Sequence, residues 1–141
     1  MKKLALITCA LTLLLAVLCI VGWQKAGSER RAMEALCRSS AAASLECFEE
    51  YSATGRESDY MSGVAEFRSY MKAYLFLNDN RGDAEYTWCN TVYGYMTLNP
   101  EKMQANLEPL ISALKHLAEN YDHPNGFNLI HVCTNQLKHG E

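Results

Sequence analysis

Six cysteines and four histidines are the side chains in this sequence whose types are most typical of nucleophilic and zinc-binding sites. The histidines are His116, His123, His131 and His139, and the cysteines after the apolar N-terminal segment are Cys37, Cys47, Cys89 and Cys133. The sequence has no Cys-x-x-Cys, His-x-x-x-His or His-Glu-x-x-His pattern of the kind that binds zinc, and it lacks the Cys-x-x-Cys-His haem attachment motif. We therefore expect no metal and no cofactor.

Catalysis by a cysteine and a histidine is an alternative that the sequence leaves open. Cys89 or Cys133 could meet His116 or His131 in the fold, since distance along the chain does not forbid contact. Buried structural cysteines are common, however, and Cys133 lies on a predicted apolar helix face. The chain also lacks a Gly-x-Ser-x-Gly motif and a glycine-rich phosphate loop. We expect a protein that is not an enzyme, with a small Cys/His-dependent enzyme as the alternative.

The four cysteines after the apolar segment permit two disulfide bonds but do not require them. Cys37 and Cys47 lie about 15 Å apart along the axis of one predicted helix, which is farther than a disulfide can reach. Any bridge must therefore include Cys89 or Cys133. All four remain possible disulfide partners.

Aromatic side chains are concentrated around one predicted loop, and four of them are spaced to form a binding surface. In a helix over 84–98, Tyr86 and Tyr93 share one face, and Trp88 and Tyr95 share a nearly opposite face, because residues seven apart lie almost two turns apart. The two pairs cannot both face the same core. One pair must be exposed, pack on another element or line a groove for a ligand or partner, a role that suits aromatic rings with polar tips.

The loop over 78–83 contains the tripeptide Arg81-Gly82-Asp83, which is an integrin-type adhesion motif. A match of three residues arises easily by chance, and polar residues with glycine are typical of ordinary turns. An adhesion-type contact module through this loop is therefore a further alternative for the function.

The segment that would place all these residues relative to a membrane is Leu4–Trp23, which contains no charged residue. As a helix it would span about 30 Å, the thickness of the hydrocarbon core of a bilayer. Its Leu, Ile and Val residues contribute about −3 to −6 kcal/mol to membrane insertion. The sequence predicts a transmembrane anchor over 4–23 that contacts the lipid bilayer, preceded by a basic tail at 1–3.

The flanks of this segment bear on cleavage and orientation. The apolar run is longer than that of a usual signal peptide, and no Ala-x-Ala cleavage site follows it, so we expect an uncleaved signal anchor and a single-pass membrane protein. On the C-terminal side are Lys25, Arg30, Arg31 and Arg38, against Lys2, Lys3 and the amino terminus, so charge alone slightly favours a cytoplasmic domain. A two-lysine start is nevertheless typical of export signals, and we expect the C-terminal domain to be extracytoplasmic.

The remainder of the chain fits one soluble domain over 29–141, joined to the anchor by a hinge at 24–28. Apart from Lys2 and Lys3, 11 basic residues stand against 16 acidic ones, which gives a net charge of −5. Nucleic acid requires a basic face, so we expect no nucleic-acid binding. A protein partner or a small ligand is the expected binding target.

Apolar residues at steps of three and four predict four or five helices after the anchor. They cover 28–52, 56–77, 84–98, a stretch from Asn99-Pro100 to 121 that Pro109 kinks or splits at Glu108, and a short helix from Phe127 to near Gly140. The predicted fold is all-α, an N-terminal transmembrane helix followed by a bundle-like domain. Strand-favouring residues leave one alternative, an α+β fold with a two-stranded sheet from 86–93 and 127–134.

Four local patterns refine these helices. Ser28 is the expected N-cap of the first helix, and Thr54 and Glu57 have the spacing of a capping box for the second. The small residues over 39–44 would let a neighbouring helix approach closely. Gly82 is the residue expected to adopt a positive φ in the loop.

Overall fold

The computed structural model describes the backbone of residues 2–78 and 83–139, and the side chains from residue 11 onward within those ranges. Nearly all of these residues are helical, in the order α1 (Lys2–Thr54), α2 (Glu57–Asn78), α3 (Ala84–Leu98), α4 (Pro100–Gln104), α5 (Leu107–Glu119) and α6 (Pro124–His139). No strand occurs among the described residues. The all-α prediction is confirmed, and the alternative with a sheet from 86–93 and 127–134 is wrong.

Both segments with strand-favouring residues are helical because each buries a stripe at helical spacing. In α3 the buried residues are Cys89, Val92 and Met96, and in α6 they include Phe127 and Ile130. A strand would have placed residues three apart on opposite faces. Burial of one continuous stripe therefore outweighs the β propensity of the Thr, Val and Tyr residues.

The chain divides into two compact units, Met1–Ala32 and Met33–Glu141. In the first unit, the large apolar side chains over 11–23 are exposed, from Val17 at 54% to Trp23 at 86%. The described part of α1 is long and apolar enough to cross a membrane, by length and composition, and none of its most apolar window is buried within the protein. The predicted anchor over 4–23, the hinge at 24–28 and the domain from residue 29 stay predictions.

Two predicted helix boundaries are wrong. The first helix does not begin at Ser28, because residues 24–28 are helical within α1 and the Ser28 hydroxyl donates to a backbone carbonyl three residues earlier at 2.8 Å. The Thr54 hydroxyl donates to the carbonyl of Glu50 at 2.8 Å and accepts the backbone N–H of Arg56 at 3.2 Å. Thr54 therefore closes α1 and does not form the expected capping box with Glu57.

The turn between α1 and α2 brings the two helices together. Gly55 adopts a φ of +69°, which glycine tolerates without strain, and its N–H donates to the carbonyl of Tyr51 at 2.8 Å. The Ser44 hydroxyl then donates to the carbonyl of Gly63 at 2.9 Å. The close approach expected at the small residues of 39–44 is thus confirmed. The positive φ expected at Gly82 lies outside the described residues.

α2 supplies the central stripe of the core. Its predicted apolar residues are all buried, namely Tyr60, Val64, Phe67, Met71 and Tyr74. The Tyr60 hydroxyl donates to the carbonyl of Met96 at 3.1 Å, and the Tyr70 hydroxyl donates to the carbonyl of Tyr121 at 2.9 Å. These bonds give the buried hydroxyls partners and join α2 to the end of α3 and to the turn before α6.

The segment after Asn99 forms two helices. The Asn99 side chain accepts the backbone N–H of Lys102 at 3.4 Å, which confirms it as the cap of α4. The break between helices falls at residues 105–106, two residues before the predicted split at Glu108, and Pro109 lies in the first turn of α5. A proline costs little there, because the first N–H groups of a helix have no intrahelical partner. α5 packs against α6, and α3 packs against α2, α4 and α6.

Candidate ligand-binding cleft between α2 and α3

The start of α3 is set by a side-chain cap that also positions the first tyrosine. Asp83 precedes the helix in an extended conformation, and its carboxylate accepts the backbone N–H of Tyr86 at 2.6 Å. An aspartate cap satisfies an N–H group that would otherwise lack a partner, and its charge suits the positive end of the helix. The buried stripe of α3 then fixes the rotation of the helix about its axis, so the aromatic faces are determined.

Tyr86 and Tyr93 line one cleft, on the side of α3 that meets α2. The cleft has a volume of about 250 Å³ and is lined by Arg68, Met71, Lys72, Leu75, Tyr86, Asn90 and Tyr93. Met71 is buried, Leu75 and the two tyrosines are half-buried, and the two cations and Asn90 are exposed. The cleft therefore combines a partly apolar lining with cationic and amide groups, the mixture typical of small-ligand sites.

The charge in this cleft is of one sign. Arg68 and Lys72 lie one helical turn apart on α2, and none of the described residues that line the cleft is acidic. Among the described residues, neither cation lies within 4.0 Å of a carboxylate, whereas Arg56 pairs with Asp59 at 2.9 Å. The domain as a whole is acidic, so an unpaired cationic pair in a cleft is a local departure from the overall charge.

The guanidinium of Arg68 lies over the ring of Tyr93, which lines the same cleft. Its Cζ lies 5.9 Å from the centroid of the Tyr93 ring, within the range of a cation–π contact. Tyr93 therefore places an aromatic ring beside the cation of Arg68 in the same cleft.

The second aromatic pair lies elsewhere on α3. The Trp88 ring stacks on His131 of α6, with centroids 4.4 Å apart and an interplanar angle of 21°. Tyr95 lines a separate apolar cleft of about 240 Å³ together with Leu98, which is 88% exposed. The structure thus brings Tyr86 and Tyr93 together on one cleft, and it does not bring Trp88 or Tyr95 to that cleft.

The four cysteines after the apolar segment are free in the structure, and all but Cys47 are buried. Burial, followed by the charge of Glu34, raises the pKa of Cys37 to about 12, and burial raises the pKa of Cys133 to about 12. Burial is also the main cause that raises the pKa of Cys89 and of Cys47. A raised pKa disfavours the thiolate, which is the nucleophilic form. These environments are those of structural thiols, and the disulfide prediction stays a prediction.

Two of the four histidines stack on each other, and a third stacks on a tryptophan. His116 and His123 stack with centroids 4.9 Å apart, and His123 Nδ1 accepts the backbone N–H of Asn125 at 3.2 Å. His131 is stacked on Trp88. In the described part of the chain, no three His, Cys, Asp or Glu side chains are grouped so that they could hold a metal ion.

The proposed adhesion tripeptide is described only in part. Arg81 and Gly82 lie outside the described residues. Asp83 is described, and its carboxylate caps α3 through the N–H of Tyr86. The adhesion alternative stays a prediction, and it would require a carboxylate that is already bonded within the chain.

No protein-family model matches this sequence, and no curated protein or solved structure is significantly similar to it. The candidate cleft therefore rests on its own geometry. Sequence reasoning found Tyr86 and Tyr93 but missed Arg68, Lys72 and Asn90. The spacing of Arg68 and Lys72 beside the stripe of α2 was the available signal, but it could not show which neighbouring helix these cations would face.

Proposed function

We propose that the protein is a single-pass membrane protein, anchored through 4–23, whose extracytoplasmic helical domain binds a ligand without catalysing a reaction. The observation that carries this proposal is the cleft between α2 and α3, where Tyr86 and Tyr93 meet the cationic pair Arg68 and Lys72. The exposed apolar side chains over 11–23 support the anchor, because a lipid environment is where such a surface is stable. The raised pKa values of the cysteines support a role without nucleophilic catalysis.

The cleft favours a small molecule over a large protein interface. Its volume of about 250 Å³ lies just below the range of pockets for drug-sized ligands, about 300–1,000 Å³. A stable protein interface buries about 800 Å² on each partner. One side chain or one small ligand would fill the space between the two tyrosines.

Binding is tested on the full-length protein in lipid nanodiscs. A panel of uncharged, cationic and anionic small molecules is screened by ligand-observed NMR, against the parent chain and against Asn90→Trp. Asn90 is an exposed lining residue, so a larger ring there should obstruct the cleft without entering the core. We expect at least one class of compound to bind the parent and lose affinity in the variant. If no compound binds the parent more tightly than the variant, the proposal that this cleft binds a ligand is wrong.

Orientation is tested with an introduced thiol, because buried cysteines label poorly in the folded protein. Met61 is 58% exposed on α2, and Met61→Cys provides a reactive site outside the apolar segment. A membrane-impermeant maleimide should label this variant in intact cells well above the parent, whose half-buried Cys47 gives the background. Labelling that requires cell lysis would place the domain in the cytoplasm and contradict the proposed orientation.

A further inference from the structure

We propose that the cleft between α2 and α3 binds a small organic carboxylate, with the carboxylate at Arg68 and Lys72 and its apolar or aromatic body between Tyr86 and Tyr93. This inference rests on the proposed binding function and names the chemical class of the ligand. It is carried by three features of the cleft: its cations, its aromatic walls and its limited volume.

The cations select an anion. Arg68 and Lys72 supply guanidinium and ammonium donors one turn apart, and none of the described residues that line the cleft has a carboxylate that could neutralise them. An arginine presents its N–H groups in a planar fork that matches the two oxygens of a carboxylate, and charge-assisted bonds of this kind are the stronger hydrogen bonds of proteins. The Arg68 Cζ lies 5.9 Å from the centroid of the Tyr93 ring, so an anion bound at Arg68 would lie beside an aromatic wall.

The rest of the lining selects an organic body. Met71 and Leu75 contribute apolar surface, and the half-buried rings of Tyr86 and Tyr93 lie one above the other along α3. An inorganic anion would leave these surfaces in water, whereas an aliphatic or aromatic group would remove them from it. Asn90, between the two tyrosines in sequence, can donate or accept a hydrogen bond from a polar substituent.

The volume of the cleft favours a small carboxylate over a larger acidic partner. A space of about 250 Å³ accommodates a molecule smaller than a typical drug. The same carboxylate chemistry could come from a free organic acid or from the side chain of an acidic peptide. The small volume of the cleft favours the free acid, and the peptide is tested as a separate ligand.

The test uses ligand pairs that differ in charge but hardly in shape. Benzoate and butyrate are titrated against the full-length protein in nanodiscs of zwitterionic lipid, beside benzamide and butyramide, inorganic phosphate and a short Glu-containing peptide. We expect both carboxylates to bind more tightly than their amides and benzoate more tightly than phosphate. Affinity for the carboxylates should fall as salt is raised, because the cations are exposed.

Variants locate the binding. Arg68→Gln and Lys72→Gln should each weaken benzoate binding, by roughly fivefold to tenfold. Lys138→Gln removes the same charge from an exposed position on α6 and should change binding less than twofold. Tyr93→Leu should weaken benzoate more than butyrate, since it removes an aromatic wall and the cation–π contact with Arg68.

Three results would overturn the proposal. Amides that bind as well as the acids would show that charge is not selected, even if the cleft binds ligands. Phosphate that binds as tightly as benzoate would show that the cleft does not select a ligand with an organic body. Tighter binding of the Glu-containing peptide than of both free acids would assign the carboxylate to a protein partner. In each case, ligand binding in the cleft would still be supported if Asn90→Trp lowers the affinity for the compound that binds. The proposal of ligand binding and the proposal of a carboxylate ligand can therefore fail independently.

Discussion

The close contact between α1 and α2 at Gly63 gives a prediction whose size follows from measured distances. A methyl group added at Gly63 would lie 2.8 Å from Cε1 of Phe48 and 3.0 Å from two further ring atoms. Phe48 is fully buried, and the carbonyl of Gly63 accepts the Ser44 hydroxyl at 2.9 Å. The ring and the helix backbone must therefore shift to admit the methyl group, and the shift would strain a buried hydrogen bond.

Two opposing effects determine the change in the free energy of unfolding. Replacing glycine by alanine within a helix stabilises by about 0.8–1.0 kcal/mol through helix propensity. Overpacking a filled core costs about 1–3 kcal/mol. Gly63→Ala should therefore destabilise the protein by about 1 kcal/mol on balance. Gly94→Ala is the matched control, because no atom of the described residues lies within 4 Å of its added methyl group, and it should stabilise by about 0.5–1 kcal/mol.

The measurement is urea unfolding of the full-length protein in a non-ionic detergent, followed by circular dichroism. A double-mutant cycle with Phe48→Leu tests the stated cause, since a smaller side chain leaves room for the methyl group. We expect a favourable coupling of at least about 0.5 kcal/mol between the two substitutions. The reasoning is refuted if Gly63→Ala stabilises the chain as Gly94→Ala does, or if the two substitutions at the contact are additive.

Three further predictions concern the second half of the domain. Gly126→Ala should destabilise by about 1 kcal/mol on balance in urea unfolding, because the added methyl group would lie 2.7 Å from two atoms of Leu117 and the overpacking exceeds the gain in helix propensity. His123→Ala should cost about 0.5–1 kcal/mol in the same assay, since it removes the acceptor for the N–H of Asn125 at the start of α6; unchanged stability would contradict the cap. Burial, and then the acidic residues at the start of α3, raise the pKa of Asp122 above its ordinary 3.8. The ionised form of Asp122 is thus disfavoured in the folded chain relative to the unfolded chain. The stability associated with the protonated carboxyl is fully present below pH 3.8, and it is lost as the pH rises through the raised pKa. Asp122→Asn should therefore stabilise at pH 7 and not below pH 3.8, as unfolding across pH would show.

Most of the helices were predictable because their signals are local. The stripe of α2 and the bounds of α3 follow from apolar spacing and from turn residues that bracket each helix. The errors came where weak local signals competed with continuation of a helix. Gly27 and Ser28 are tolerated within a helix at a cost of roughly 1 kcal/mol or less, so they did not end α1.

The candidate site was predictable only in part, for a physical reason. The seven-residue spacing of Tyr86 and Tyr93 places both on one face of a helix, and the structure confirms this. The position of Arg68 and Lys72 opposite that face depends on how α2 and α3 are rotated and aligned. That alignment comes from long-range packing and from bonds such as Tyr60 to the carbonyl of Met96, and no local pattern encodes it.

α2 serves the fold and the cleft with different faces, so stability and binding can be perturbed separately. Gly63 and Arg68 are five residues apart, which places them about 140° apart around the helix axis. Gly63 faces α1, where its carbonyl meets Ser44, and Arg68 lines the cleft with α3. Arg68→Gln should therefore weaken carboxylate binding with a stability change within about 0.5 kcal/mol, as for other surface substitutions. Gly63→Ala should show the opposite behaviour, lower stability with benzoate affinity retained, and equal losses of both properties in either variant would contradict this separation.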